Sequence, residues 1–122
     1  MAHVLVVEDD ADVASLLRQV LAAVGHDVDV APDGGAGLEA AYAHHPDMVI
    51  LDWMMPIKTG IEVCTALRSD PEFASTRIMM VTARSSPQDV SRAKAAGVDD
   101  YFVKPFTPRE LRARVATLLE RN

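Results

Sequence analysis

Short apolar runs alternate five times with longer stretches of helical period, and this alternation constrains the fold more than any other feature of the 122 residues. The runs are Val4-Leu5-Val6-Val7, then Val28 and Val30 set between aspartates, Met48-Val49-Ile50-Leu51, Ile78-Met79-Met80-Val81 and Tyr101-Phe102-Val103. Unbroken apolar runs of four suit strands covered on both faces, as a parallel sheet between two helical layers requires. The second run alternates, as an edge strand does. Between the runs, Val13, Leu16, Leu17, Val20, Leu21 and Val24 recur at steps of three and four, predicting an amphipathic helix that stops by Gly25. An Ala-rich helix over 35–45, anchored by Leu38 and Tyr42, ends before Pro46. Ile61, Cys64 and Leu67 anchor a third, which ends near Pro71. Ser86-Pro87-Gln88-Asp89 opens a fourth and Thr107-Pro108-Arg109-Glu110 a fifth, each with a hydroxyl cap, a proline in the first turn and an acid three residues on. The fifth turns Leu111, Val115, Leu118 and Leu119 inward.

Five strand–helix units predict an α/β fold: one domain over 1–122, a doubly wound three-layer sandwich on a parallel five-stranded sheet. The expected strand order is the flavodoxin-like 2-1-3-4-5; the residues themselves dictate the alternation and not the order. Twelve Lys and Arg against 18 Asp and Glu leave a net charge of −6, which argues against a nucleic-acid-binding face. It fits a domain that binds cations or basic partners. Cys64 is the only cysteine, so a disulfide within the chain and a Cys-rich zinc site are excluded. No apolar run approaches the roughly 18 residues of a membrane span, and the first strand begins too early for a signal peptide. A cytoplasmic location is the expectation.

The polar residues fall in a pattern. The run ending at Val7 is followed by Glu8-Asp9-Asp10, the one ending at Leu51 by Asp52, the one ending at Val81 by Thr82, and the one ending at Val103 by Lys104. In an open α/β sheet these carboxyl ends share one edge, where the ligand crevice lies. Hard carboxylate oxygens suit Mg²⁺, and a hydroxyl with an ammonium suits the oxygens of a phosphoryl group. Two carboxylates ~4 Å apart repel by about 4 kcal/mol at an effective dielectric of about 20. A crevice holding Glu8, Asp9 and Asp52 is therefore expected to be strained without a cation and relaxed by Mg²⁺.

VLVVEDD, ILDWMMP, MMVTAR and DDYFVKPF, in that order and each at a strand end, resemble the receiver domain of two-component response regulators over essentially the whole chain. The resemblance implies that Asp52 accepts a phosphoryl group from a phosphohistidine or a small donor. Glu8, Asp9 and Asp52, with the backbone carbonyl of Met54, would hold Mg²⁺. Thr82 would hydrogen-bond the phosphoryl group and Lys104 would pair with it. Tyr101 would be the switch that turns inward as Thr82 moves, and the Lys104–Pro105 bond would be cis. The implied partners are a sensor histidine kinase or phosphotransfer protein, and a downstream output domain or protein reached through the helix 4–strand 5–helix 5 surface. Neither nucleic acid nor membrane would be bound directly. DDY, KPF, Glu110 and Arg114 resemble the family's phosphorylation-dependent homodimer interface, whereas Val90 stands where that interface usually has a basic residue. Such a domain is a switch, not an enzyme, catalysing only its own phosphorylation and dephosphorylation.

Several residues have plainer readings. Asp10 serves as a helix N-cap. His3, His26, His44 and His45 lack metal-ligand spacing and belong on the surface. Gly34-Gly35-Ala36-Gly37 lacks both the dinucleotide spacing and a P-loop lysine, so it reads as a flexible helix entry. Cys64 is a small buried residue, Trp53 is expected to be partly exposed, and Arg109, Arg112 and Arg114 form a solvated face. The fourth helix has only Val90 and Ala93 to turn inward, so it is expected to be held weakly. A haloacid-dehalogenase-type phosphatase would need an acid two residues past its nucleophile, and Met54 has no proton to give. A receiver-like fold that binds partners without phosphorylation would lack a key side chain, and none is missing.

Overall fold

The computed structural model describes residues 2–120. In chain order the elements are β1 (His3–Val7), α1 (Ala11–Ala22), β2 (Asp27–Ala31), α2 (Gly34–His44), β3 (Met48–Leu51), α3 (Gly60–Arg68), a 3₁₀ turn (Pro71–Phe73), β4 (Arg77–Thr82), α4 (Pro87–Ala96), β5 (Asp100–Val103) and α5 (Pro108–Glu120). All strand pairs are parallel and the order is β2-β1-β3-β4-β5, as expected.

The apolar runs divide between two faces because successive strand residues point opposite ways. Val4, Val6, Met48, Ile50, Met79, Val81 and Phe102 face α1 and α5, which supply Leu17, Val20, Leu21, Leu111, Val115 and Leu118. Leu5, Val7, Val49, Leu51, Ile78, Met80 and Tyr101 face the other layer, where Leu38, Ala41, Val63, Cys64, Leu67 and Ala93 come from α2, α3 and α4. Each fully buried side chain of this size contributes about 1.5–3 kcal/mol relative to exposure.

The helices start where the caps predict. Asp10 accepts from the N–H groups of Asp12 and Val13 at the head of α1. Ser86 accepts from Asp89 N–H at α4, and Thr107 from Glu110 N–H at α5. The inward stripes are narrower than the periodicity suggests. α1 buries Ala14, Leu17, Val20 and Leu21, while Leu16 is exposed, being about 100° of helix away from Leu17. Val24 lies past the helix end and is also exposed. Tyr42 is not an anchor of α2: it is 45% exposed and touches Phe73 edge-on. Leu38 alone fills the expected role, with Ala41 beside it.

The glycine run is a contact surface, not a flexible entry. A β-carbon on Gly34 would collide with the Lys58 carbonyl, and one on Gly37 would come within 2.7 Å of a Val7 methyl. The absent side chains let α2 lie directly on β1 and on the loop after β3.

Candidate functional site

The parallel register brings the carboxyl ends of β1, β3, β4 and β5 to one rim. Backbone bonds hold it there: Glu8 N–H donates to the Ala31 carbonyl, Asp52 N–H to Val7 and Lys104 N–H to Thr82. The ligand oxygens of Glu8, Asp9 and Asp52 lie within 4.8 Å of one another. Among the described residues this is the one group of three or more His, Cys, Asp or Glu so arranged. Lys104 Nζ sits 3.0 Å from Glu8 Oε1 and 3.0 Å from Asp52 Oδ2. The other Asp52 oxygen accepts from Trp53 N–H at 2.6 Å. Lys104 is followed by a cis bond to Pro105.

The exposures of these groups differ, and the electrostatics follow. Glu8 is buried, with a side chain 2% exposed; Asp9 is exposed and Asp52 half-buried. Burial pushes the Glu8 carboxyl up to about 7; the hydrogen bond from Lys104 opposes that rise and the Asp52 charge adds to it. Burial would lower the Lys104 ammonium, but its bonds to Glu8 and Asp52 outweigh this and raise it. The lysine therefore stays charged and Glu8 is poised to take a proton. With all three acids ionised, one ammonium faces three carboxylates, leaving two negative charges uncompensated. An all-oxygen donor set with that excess fits a hard divalent cation. The expected mutual repulsion of three bare acids is reduced, because Lys104 stands between Glu8 and Asp52 and water screens Asp9.

Thr82 ends β4, is buried, and accepts from Arg84 N–H at 3.3 Å through its hydroxyl oxygen. That leaves the hydroxyl proton free to donate. Met54 lies two residues past Asp52 in the loop and is 59% exposed. Tyr101 is already inward, 8% exposed, its hydroxyl donating to the Arg84 carbonyl at 2.7 Å. A cavity of about 280 Å³ opens beside Glu8 and Asp9, lined also by Ala14, Arg18, Val30 and Pro32. A wider groove of about 550 Å³ lies at the opposite end of the sheet, among Ala2, Asp47 and Arg77, away from this chemistry.

Two features were not legible in advance. Trp53 is 4% exposed, contrary to the partial exposure expected of a loop residue. The guanidinium groups of Arg84 and Arg92 cover its ring, at 4.8 Å and 5.6 Å from the centroid. Nothing in the spacing of 53, 84 and 92 announces that convergence, because the partners come from three separate segments. Arg114 also departs from a purely solvated role, stacking on Phe102 and pairing with Asp100.

A doubly wound parallel sheet with acids, a hydroxyl and a lysine gathered at its carboxyl rim has its polar crevice where open α/β sheets bind their ligands. Residues 4–116 match the response regulator receiver domain, and the chain belongs to that family. It is 44% identical to the DNA-binding response regulator MtrA of Mycobacterium tuberculosis over 98% of this chain and 51% of that protein. With the phosphate regulon transcriptional regulatory protein PhoB of Rhizobium meliloti it shares 43% identity, over 99% of this chain and 53% of the relative. The chain thus spans about half the length of these curated relatives. Among solved structures, the chemotaxis protein CheY4 of Vibrio cholerae superposes with a TM-score of 0.92 at 33% identity, covering 97% of this chain and 98% of the other. The beryllofluoride-activated receiver domain of Klebsiella pneumoniae RstA gives 0.91 at 31% identity, over 98% and 99%. The protein is a receiver domain of a two-component response regulator. No helix among the described residues is long and apolar enough to cross a membrane.

Proposed function

We propose that Asp52 is the phosphoacceptor of this receiver, taking a phosphoryl group from a phosphohistidine of a sensor kinase or phosphotransfer protein, or from a small donor. The observation that carries this reading is the position of Lys104 Nζ, 3.0 Å from both Asp52 and Glu8, at a rim closed by Thr82 and Asp9. A carboxylate oxygen of Asp52 attacks phosphorus; the P–N bond breaks and its electron pair returns to the imidazole nitrogen. Lys104 stays with the transferred group and meets its new oxygens with charge, while Thr82 donates its free hydroxyl proton. The Trp53 N–H holds the acceptor carboxylate in one orientation.

Glu8, Asp9 and Asp52 are the residues that would hold Mg²⁺, with the Met54 carbonyl as a fourth donor. When bound, the ion supplies positive charge that offsets the oxygens of both nucleophile and donor. The domain, over 1–122, is a switch and not a turnover enzyme. Its output passes through α4, β5 and α5 to a downstream domain or protein; the names of MtrA and PhoB support a transcriptional one, exerted by a segment other than this acidic domain. The setting is cytoplasmic, and nucleic acid is not contacted directly.

Incubation with Mg²⁺ and acetyl phosphate, followed by mass spectrometry, tests the assignment. One phosphoryl group on Asp52, absent from Asp52→Asn, is expected. Modification that survives the substitution removes Asp52 from the role.

A further inference from the structure

Trp53 is the chain's only tryptophan and directly follows the acceptor. Its N–H is a ligand of Asp52 Oδ1, so a shift of Trp53 moves a partner of the acceptor carboxylate. Its ring is hidden beneath two guanidinium groups that belong to different segments. Arg84 stands in the loop between β4 and α4, and Arg92 on the second turn of α4. Arg84 is also a junction. Its Nε pairs with Asp89 in the first turn of α4 at 3.2 Å, its N–H donates to Thr82, and its carbonyl accepts from Tyr101.

We propose that Arg92 and Arg84 clamp Trp53 between α4 and the acceptor loop, making Arg92 a positioning residue that sets the phosphoryl pocket from outside it. Asp89 offsets the charge of Arg84, so a second cation can approach the same ring. The clamp matters because α4 buries little: Ala93 is its one fully buried side chain, against four in α1, with Val90 and Ala96 only partly buried beside it. It keeps the β4–α4 loop where Arg84 N–H occupies a lone pair of the Thr82 hydroxyl and leaves its proton free for the crevice. Coupling of this kind is reciprocal, so a group bound at Asp52 tightens α4 as much as α4 tightens the pocket.

The pocket half of this inference rests on Asp52 being the acceptor; the clamp itself does not. Arg92→Gln removes one cation from an exposed position, and Arg92→Lys restores the charge. In the metal-free protein, Arg92→Gln is expected to raise acrylamide quenching of Trp53 about twofold and to speed hydrogen exchange in α4 relative to α1, with Arg92→Lys near wild type. In Mg²⁺, the midpoint of a beryllofluoride titration is expected to rise about threefold in Arg92→Gln and less in Arg92→Lys. Unchanged quenching and exchange in Arg92→Gln overturn the clamp. An unchanged midpoint with altered quenching overturns its coupling to the pocket. If wild-type protein responds to neither beryllofluoride nor acetyl phosphate, the phosphoacceptor reading fails, while the metal-free measurements still decide on the clamp.

Discussion

Two ion clusters lie at opposite ends of the sheet, and they are built on different terms. Near the amino end of β5, Arg68 pairs with Asp99 at 2.8 Å and donates to the carbonyls of Gly97 and Phe73. The same Asp99 oxygen accepts from Ile78 N–H. One cation meets one anion, and the spare donors find backbone acceptors. At the carboxyl end three carboxylates cluster, Glu8 the most deeply buried of them, and the one lysine pairs with Glu8 and Asp52. The balanced cluster ties α3 to the start of β4 and to the approach to β5. The unbalanced one carries a charge excess that a proton on Glu8 reduces and that a bound cation would offset. The candidate site lies where the electrostatics are left incomplete.

The largest effect should come from breaking the balanced cluster. Arg68→Ala removes the one cation paired with Asp99 and a donor from each of two carbonyls, and is expected to lower stability by about 3 kcal/mol in urea unfolding. Near-wild-type stability would erase the distinction between the two ends.

The next is a pH dependence confined to the unbalanced end. Glu8 holds its proton up to about 7 in the fold, against an ordinary 4.5. In metal-free protein its contribution to stability is therefore full below pH 4.5 and is lost as the pH rises to 7, a change of at most about 3 kcal/mol. Denaturant melts at pH 5 and 7.5 should show the decline in wild type and a flatter response in Glu8→Gln. Parallel slopes in the two proteins would assign the decline elsewhere.

Mg²⁺ should act at the same end. At roughly ten times its dissociation constant it is expected to stabilise by about 1.4 kcal/mol, seen as a rise of a few degrees in Tm. The Arg68 cluster gains nothing from it, so Arg68→Ala should show the same increment. The smallest effect is Asp9→Asn without metal. Because Asp9 is exposed, the gain in Tm is expected to be about 1 °C or less, and the Mg²⁺ increment should disappear. A full Mg²⁺ increment in Asp9→Asn would remove that residue from the metal set.

Much of this was legible in the residues. The alternation of Val4–Val7, Met48–Leu51 and Ile78–Val81 with capped helical stretches announced a two-faced parallel sheet, because strand and helix periods differ and each cap has its own chemistry. The strand-end positions of Asp9, Asp52, Thr82 and Lys104 followed from the same reading. Other features lay beyond it. Leu16 and Tyr42 sat in the right periods yet face water, since periodicity marks a stripe without its width. The Gly34–Gly37 run looked flexible until Lys58 and Val7 were seen pressed against it. Trp53 read as a partly exposed loop residue, yet Arg84 and Arg92 cover it.

Local order, then, was determined by the sequence alone: which segments extend, which coil, where each stops, and which polar groups terminate the strands. These depend on backbone sterics and near-neighbour hydrogen bonds, which act over a few residues. Tertiary structure alone decided which charges meet, that Lys104 bridges Glu8 and Asp52 across 96 and 52 residues, and that two arginines close over one indole. Coulomb and cation–π energies depend on distance in space, and distance along the chain carries no record of it.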